Sequence, residues 1–157
     1  MRFIHCADVH LDSPLRGLEL YDGAPAEEMR HATRRAFANA VELAIDRSAD
    51  FVLIAGDIFD GDWPDFNTGL YFASQLRRLA GADIRVFLSY GNHDAVSKLT
   101  RSVPLPKNVF SFPANRPATE VIESLGVAIH GQSFATEAVT TDLSAAYPAP
   151  RAGLLNI

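Results

Sequence analysis

Cysteine is almost absent from this sequence, since Cys6 is the only one among 157 residues. A single thiol cannot form an internal disulfide, which excludes the disulfide-rich secreted class and favours a reducing cytoplasm. Long apolar runs are missing too, because a run such as residues 51–55 is far too short to cross a bilayer. The N-terminus also lacks the apolar stretch and cleavage site of a secretory signal. We therefore expect a cytoplasmic protein without a membrane span, in which Cys6 is a buried structural thiol.

An excess of positive charge is also lacking. Lys and Arg number 14 against 19 Asp and Glu, for a net charge of −5, which argues against a protein that binds nucleic acid by phosphate neutralisation alone. Part of the acidity is concentrated in one short segment that contains Asp57, Asp60, Asp62 and Asp65. Divalent cations bound there would invert the local field, so the formal charge is a poor guide to what that segment binds.

The residues that are present indicate one ordinary globular domain, with 48% apolar and 21% charged residues. The apolar pattern predicts helices at residues 25–49 and 67–80 and buried strands at 2–7, 51–55 and 84–89. The buried stripes are expected to consist of Met29, Phe37, Val41 and Ile45 in the first helix and of Leu70, Ala73 and Leu76 in the second. Helices that alternate with buried strands predict an α/β fold on a largely parallel sheet.

Beyond residue 98 the pattern changes, because prolines break the chain into loops and short extended pieces. Short strands are expected at residues 109–112, 121–125 and 127–129, and they could belong to a second sheet. Residues 153–157 have the pattern of a strand that is just beginning.

Each of the three buried strands is followed at once by a polar cluster. The clusters read D-V-H at 8–10, G-D-I-F-D at 56–60 and G-N-H-D at 91–94. In open α/β sheets, sites form beyond the carboxyl ends of the strands, so the three clusters should converge. Residues two apart on an extended chain point to the same side, which groups Asp8 with His10. Gly56 and Gly91 are expected to permit tight turns where a side chain would obstruct the approach.

The donor set of these clusters is typical of a transition-metal site. Asp8, His10, Asp57 and Asn92 supply two carboxylates, an imidazole and a carboxamide, which suits Mn²⁺, Fe²⁺ or Zn²⁺ better than Ca²⁺. A two-metal centre needs an anionic ligand that bridges ions about 3.5–4 Å apart, and Asp57 at the middle strand end is the expected bridge. A solitary Asp, such as Asp60 or Asp94 alone, is usually a turn former or helix cap. Three ordered clusters are much harder to explain in that way.

The motifs Asp-x-His, Gly-Asp-x-x-Asp and Gly-Asn-His-Asp, in this order, resemble those of the calcineurin-like metallophosphoesterases. The opening residues 3–15, F-I-H-C-A-D-V-H-L-D-S-P-L, look more specifically like the DNA repair exonucleases of the SbcD type. The resemblance implies an α/β fold, a metallophosphoesterase-like sandwich of two mixed β-sheets flanked by helices. It also implies two divalent ions, with Mn²⁺ as the first choice and Fe²⁺ or Zn²⁺ as alternatives.

The resemblance implies a role for each residue of the motifs. Asp8 and His10 would hold the first metal, Asp57 would bridge, and Asn92 would hold the second. His93 would face the phosphate as an acid or as a stabiliser of the transition state, and Asp60 would orient its ring. An imidazole pKa of about 6.5 leaves His93 partly protonated near neutrality.

Two departures from the family pattern refine these expectations. The family's protein Ser/Thr phosphatases carry an Arg directly after the second Asp of the middle motif, where this sequence has Gly61, which counts against a protein phosphatase. The family completes its site with three further histidines, whereas only His130 follows His93 in this sequence. We therefore expect residues 1–157 to be the N-terminal part of one metallophosphoesterase domain that lacks the last ligand motifs and binds metal weakly.

The remaining histidines are not favoured as ligands. His130 lies near a predicted strand end, but the sequence around it does not match the missing motifs. His5 alternates away from Asp8 along the first strand, and His31 lies in the first helix, so both are expected to be structural.

The leading functional hypothesis is a Mn²⁺-dependent DNA exonuclease in DNA repair that acts with a coiled-coil ATPase subunit and as a homodimer. The DNA substrate and the partners come from the resemblance. Four arginines could contact phosphates, although solvated helix faces are the favoured explanation for Arg30, Arg34, Arg77 and Arg78. The alternatives are a small-molecule phosphodiesterase or nucleotidase on the same fold, and a non-catalytic interaction module with an incomplete site.

Overall fold

A parallel four-stranded sheet forms the centre of the fold. The computed structural model of the protein describes residues 1–13, 26–60, 66–97 and 103–157. In spatial order, the first sheet consists of β1 (Phe3–Ala7), β2 (Phe51–Ala55), β3 (Arg85–Ser89) and β4 (Val109–Ser111). Every neighbouring pair is parallel, so the predicted parallel sheet is confirmed. The strand expected at 109–112 belongs to this sheet and not to a second one.

Two long helices cover one face of this sheet. They are α1 (Ala26–Asp46) and α2 (Phe66–Gly81), and they meet where Phe37 stacks on Phe72 with ring centroids 5.5 Å apart. Both helices contribute to one buried cluster with alternate strand residues such as Val52 and Val86. A short third helix, α3 (Asn92–Val96), follows β3. Within the described ranges, no helix combines the length and apolar character needed to cross a bilayer.

The prediction that Leu70 faces the core is wrong. Leu70 is 58% exposed, whereas Ala73 and Leu76 are buried as predicted. Thr68, Gly69, Phe72, Ala73, Gln75, Leu76 and Leu79 form the buried side of α2. Their spacing of three to four residues defines one stripe of the helix, and residue 70 lies outside it.

A second, three-stranded sheet covers the opposite face of the first. It contains β5 (Ala118–Ile122), β6 (Val127–Gly131) and β7 (Leu155–Asn156), with β5 antiparallel and β7 parallel to β6. The inter-sheet core consists mainly of Phe51, Leu53, Phe87, Phe112, Ile122, Val127 and Ile129. The strand expected at 121–125 ends earlier, because residues 123–125 form a 3-10 turn closed by Gly126 at φ 63°. The predicted α/β class with two sheets and helices is confirmed.

The register of the first sheet aligns the carboxyl ends of β1, β2 and β3. Ala7 pairs with Ala55, and Ala55 pairs with Ser89. The next residues therefore leave the sheet side by side, which brings the loops at 8–13, 56–60 and 90–94 to one edge, as predicted.

Candidate metal centre

The loops that follow β1 and β2 bind each other through their backbones. Asp8 donates its N–H to the carbonyl of Gly56 at 3.2 Å, and His10 donates to that of Asp57 at 2.9 Å. Both loops use left-handed backbone conformations, with φ of 51° at Asp8, 43° at His10 and 50° at Asp57. Non-glycine residues hold such angles only where the surrounding structure enforces them, and these positions cluster at functional sites.

Three of the predicted ligands come together at this point. Asp8, His10 and Asp57 each offer one ligand atom, and these atoms lie within 4.8 Å of one another. Asp8, Asp57 and Asn92 also line a common pocket of about 200 Å³. Two carboxylates, an imidazole and a carboxamide form a donor set that fits a divalent transition-metal ion. The convergence is thus observed, and ligation of a metal stays a prediction.

Glycine at positions 56 and 91 is required by the close approach of the second and third loops. A Cβ on Gly91 would lie 2.2 Å from Oδ1 of Asp57, far inside van der Waals contact. Gly56 has φ 75°, and a Cβ there would lie 3.1 Å from Cα of Gly91. The predicted role of both glycines is confirmed, and their contact brings Asn92 next to Asp57.

Asp60 contacts His10 more closely than it contacts His93. Its Oδ1 lies 2.7 Å from Nδ1 of His10 and 3.4 Å from Nδ1 of His93. Burial opposes ionisation of Asp60, but hydrogen bonds from Ser13 and His10 outweigh it and lower the pKa of the carboxyl. A proton held on Nδ1 by this carboxylate leaves the Nε2 lone pair of His10 available for a metal. Orientation of the His93 ring by Asp60 stays a prediction, and the shorter contact is to His10.

His93 lies beside the predicted ligands with much of its side chain in solvent. The side chain is 45% exposed, and its ring meets that of His10 edge to face with centroids 5.3 Å apart. Its backbone N–H donates to Oδ1 of Asp57 at 3.1 Å. His93 is thus held at the site by its backbone, and its ring is accessible from outside.

Asp94 is a buried structural carboxylate. It is 1% exposed and accepts backbone N–H bonds from Ile58 and Phe59 at 3.0 Å and from Gly91 at 2.9 Å. Burial raises the pKa of its carboxyl in spite of these donors. Gly91 is the N-cap of α3, so the helix-cap role expected of an isolated Asp94 is observed. Asp94 also ties the second loop to the third, which sequence reasoning did not predict.

Sequence reasoning missed residues from the second sheet that complete the pocket. Gln132 and Phe134, in the loop after β6, line the same pocket as the predicted ligands, together with Tyr90. Phe134 donates its N–H to the carbonyl of Tyr90 at 2.8 Å, and Tyr90 donates its own to the hydroxyl of Ser133 at 3.0 Å. No motif signals this contact, because it depends on how the second sheet packs on the first.

The other histidines lie outside the ligand cluster. Both ring nitrogens of His130 are engaged within the second sheet, by Thr119 at 2.8 Å and Asn156 at 2.9 Å, which agrees with the unfavoured ligand role. His5 and His31 lie exposed on β1 and α1. Other predictions fall on parts of the chain outside the described residues, namely Pro14, Leu15, Pro25, Gly61, Asp62, Asp65 and the side chains of Met29 and Arg30.

The two-sheet fold and the three loop motifs at one sheet edge define the class of protein. A family model described as calcineurin-like phosphoesterase matches residues 1–149, and the chain belongs to this family. The expected recognition is therefore confirmed at the level of the family.

Several relatives of the chain belong to more specific groups. The uncharacterized metallophosphoesterase YhaO of Bacillus subtilis strain 168 is 29% identical over 150 residues, which cover 94% of this chain and 37% of that protein. The DNA double-strand break repair protein Mre11 of Archaeoglobus fulgidus is 35% identical over 134 residues, 81% of this chain and 28% of that protein. One subunit of the nuclease SbcCD of Rhodobacter capsulatus is 33% identical over 102 residues, 63% and 23% of the two chains. The chain thus spans about a third of these relatives or less.

Proposed function

We propose that this chain supplies the ligand cluster of a two-metal phosphodiesterase, with Mn²⁺ as the expected ion and Fe²⁺ or Zn²⁺ as alternatives. The convergence of Asp8, His10 and Asp57 beside Asn92 carries the proposal, because this donor set at the carboxyl ends of parallel strands suits such a centre. Divalent ions bound there polarise phosphoryl oxygens and lower the pKa of water. Membership of the phosphoesterase family supports phosphoester hydrolysis as the reaction.

The residues of the cluster have distinct roles in this proposal. Asp8 and His10 hold the first ion, Asp57 bridges, and Asn92 holds the second. His93 gives a proton to the leaving oxygen or stabilises the charge on the phosphate. The exposure of its side chain, 45%, supports contact with a substrate, and imidazole exchanges protons near neutral pH. Asp60, hydrogen-bonded to His10 at 2.7 Å, orients the ligand ring and completes this part of the site.

The proposed substrate is DNA, cleaved by an exonuclease in DNA repair. The similarity to an Mre11 protein and to a subunit of the nuclease SbcCD supports this choice. A net charge of −5 gives the chain no basic excess for phosphate, so bound cations must supply much of the attraction at the site. The coiled-coil ATPase partner, the homodimer and the cytoplasmic location stay predictions made from resemblance and composition.

Calorimetric titration of the metal-free chain with MnCl₂, combined with hydrolysis of bis-p-nitrophenyl phosphate, tests the metal centre. We expect Mn²⁺ binding and Mn²⁺-dependent hydrolysis, and Asp57→Asn should abolish both. His93→Gln should lower kcat by roughly 100-fold, the contribution typical of a general acid, with little change in the Kd for Mn²⁺. Equal losses of affinity and turnover would make His93 a ligand instead. Glu42→Gln is the control, since it removes a carboxylate that pairs with Arg78 on the surface.

A substrate comparison at equal Mn²⁺ concentration decides between the proposed nuclease and its alternatives. Release of nucleotides from linear duplex DNA in preference to hydrolysis of cyclic nucleotides supports the nuclease. Hydrolysis of cyclic nucleotides alone would favour a small-molecule phosphodiesterase. A folded chain that binds no Mn²⁺ at millimolar concentration would favour a non-catalytic interaction module.

A further inference from the structure

A buried ion pair lies directly behind the first loop of the candidate metal centre. Asp12, two residues after His10, is 8% exposed. Arg34 of α1 donates from Nε to both oxygens of Asp12, at 2.7 and 2.9 Å, and from Nη2 to Oδ2. Thr68 of α2 donates its hydroxyl to the same carboxylate. Asp12 therefore connects the loop to both helices.

Arg34 is itself held in place on the side away from Asp12. Its guanidinium lies 4.9 Å from the ring centroid of Tyr71, and Tyr71 donates its hydroxyl to the backbone carbonyl of Arg34 at 2.6 Å. The neighbouring Thr33 accepts the backbone N–H of Asp12 at 3.2 Å. The favoured explanation of Arg34 as part of a solvated helix face is therefore wrong, because its charged group is paired and its side chain is only 29% exposed.

The first loop requires such a restraint because its backbone is strained. Three alternate residues have left-handed φ angles, 51° at Asp8, 43° at His10 and 55° at Asp12. L-residues adopt these angles at an energetic cost and keep them only where other contacts enforce them. The backbone N–H groups of Asp8 and His10 bind the second loop. At Asp12 the side chains of α1 and α2 take over that function.

Ser13 connects the ion pair to the imidazole of His10. Ser13 donates its N–H to the carbonyl of His10 at 3.1 Å and its hydroxyl to Asp60. Asp60 in turn lies 2.7 Å from Nδ1 of His10. A loop released at Asp12 would thus loosen the position of Ser13 and two of the contacts that fix His10.

We propose that Arg34 and Asp12 are positioning residues for the predicted metal ligand His10. Together with Thr68 they form a clamp that holds the strained loop in the conformation in which His10 meets Asp8 and Asp57. This inference rests on the proposed metal centre, but the clamp lies outside its ligand set. Partners that orient metal ligands typically change metal affinity by about 10–100-fold.

Mn²⁺ titration of the metal-free chain, followed by the electron paramagnetic resonance of free Mn²⁺, measures the effect of the clamp. Arg34→Gln and Asp12→Asn should each raise the Kd about tenfold, with unchanged circular dichroism. The double variant can form an amide pair, so its effect should be smaller than the product of the two single effects. Thr68→Val keeps the ion pair and removes one hydrogen bond, and should give a smaller increase in Kd.

Arg85→Gln is the matched control, because it breaks an ion pair with Glu120 of 3.1 Å at the boundary of the two sheets. Its Kd for Mn²⁺ should equal that of the unaltered chain. Hydrogen exchange of the amides at residues 10–13, measured without metal, should be faster in Arg34→Gln than in Arg85→Gln. If the unaltered chain binds no Mn²⁺, the proposed metal centre fails and the exchange rates still decide on the clamp. Folded clamp variants with unaltered Kd and exchange would overturn it.

Discussion

Carboxylates close together in this sequence are in opposite electrostatic environments. At Asp94, burial prevails over the backbone donors and raises the pKa. At Asp60, hydrogen bonds from Ser13 and His10 outweigh burial and lower it. Asp60 is therefore ionised at neutral pH and able to hold a proton on Nδ1 of His10. The donors that surround a carboxylate, and not its neighbours in the sequence, decide this difference.

The contact between Gly91 and Asp57 gives a prediction for Gly91→Ala. The added methyl would lie 2.2 Å from Oδ1 of Asp57, so Asp57 or the third loop must move. We expect the Kd for Mn²⁺ to rise at least about tenfold and the free energy of unfolding to fall by roughly 1–3 kcal/mol. Gly81→Ala is the control, since a Cβ there meets nothing within 4 Å. Equal behaviour of the two variants in titration and urea unfolding would contradict the prediction.

Cys6 gives a prediction for stability at alkaline pH. It donates to the carbonyl of Leu53 at 3.7 Å, and burial raises the pKa of its thiol from 9.0 to about 11. Above pH 9.0 the unfolded state loses this proton first, so the contribution of Cys6 to stability is complete below pH 9.0 and is lost as the pH rises towards 11. Over that range the unaltered chain should lose roughly 2 kcal/mol more stability than Cys6→Ala in urea unfolding. Parallel pH curves for the two chains would contradict this.

At the scale of the element, the two faces of α2 give a matched pair of variants. Leu76 is fully buried against the first sheet, and Leu70 is 58% exposed. Leu76→Ala should lower the free energy of unfolding by about 2–5 kcal/mol because it removes packed methyl groups and leaves a cavity. Leu70→Ala should change it by less than about 0.5 kcal/mol. Urea unfolding measures both, and similar losses would show that α2 packs through a different face.

The strands differ from the helices in how directly the sequence predicts their burial. The first four residues of β2 are buried, as expected for a continuous apolar run in the middle of a covered sheet. In β1 the exposed residues Phe3, His5 and Ala7 alternate with half-buried Ile4 and Cys6. The apolar run at 2–7 therefore predicts a strand correctly, but not which of its side chains are covered.

At the scale of the whole molecule, the convergence of Asp8 and Asp57 places two carboxylates close together without a cation. Mn²⁺ that binds only the folded chain should stabilise it by about 1.4 kcal/mol at ten times the Kd. For a chain of this size, that is a rise in Tm of roughly 3–6 °C. Thermal unfolding with MnCl₂ and with EDTA measures the shift.

Asp8→Asn provides the control for that shift. It should reduce the effect of Mn²⁺ because a predicted ligand is lost, and raise the Tm in EDTA because a like-charge repulsion is removed. An unchanged Mn²⁺ effect in this variant would place the ion somewhere else in the molecule.

The sequence by itself determined the local features of this protein. The α/β order, the parallel strands at 51–55 and 84–89, and the polar clusters at three strand ends all follow from short segments. Periodicity, turn residues and the rule for strand ends act within such segments, so residues such as Asp8, Asp57 and Gly91 could be selected without coordinates.

Only the tertiary structure decided which distant groups meet. It placed residues 109–111 in the first sheet, turned Leu70 to solvent, and brought Asp60 to His10, Arg34 to Asp12, and Gln132 to the pocket. These contacts join segments far apart in the chain, and each depends on how a helix or the second sheet packs on the first. A sequence pattern carries the chemistry of each side chain, but packing selects its partner.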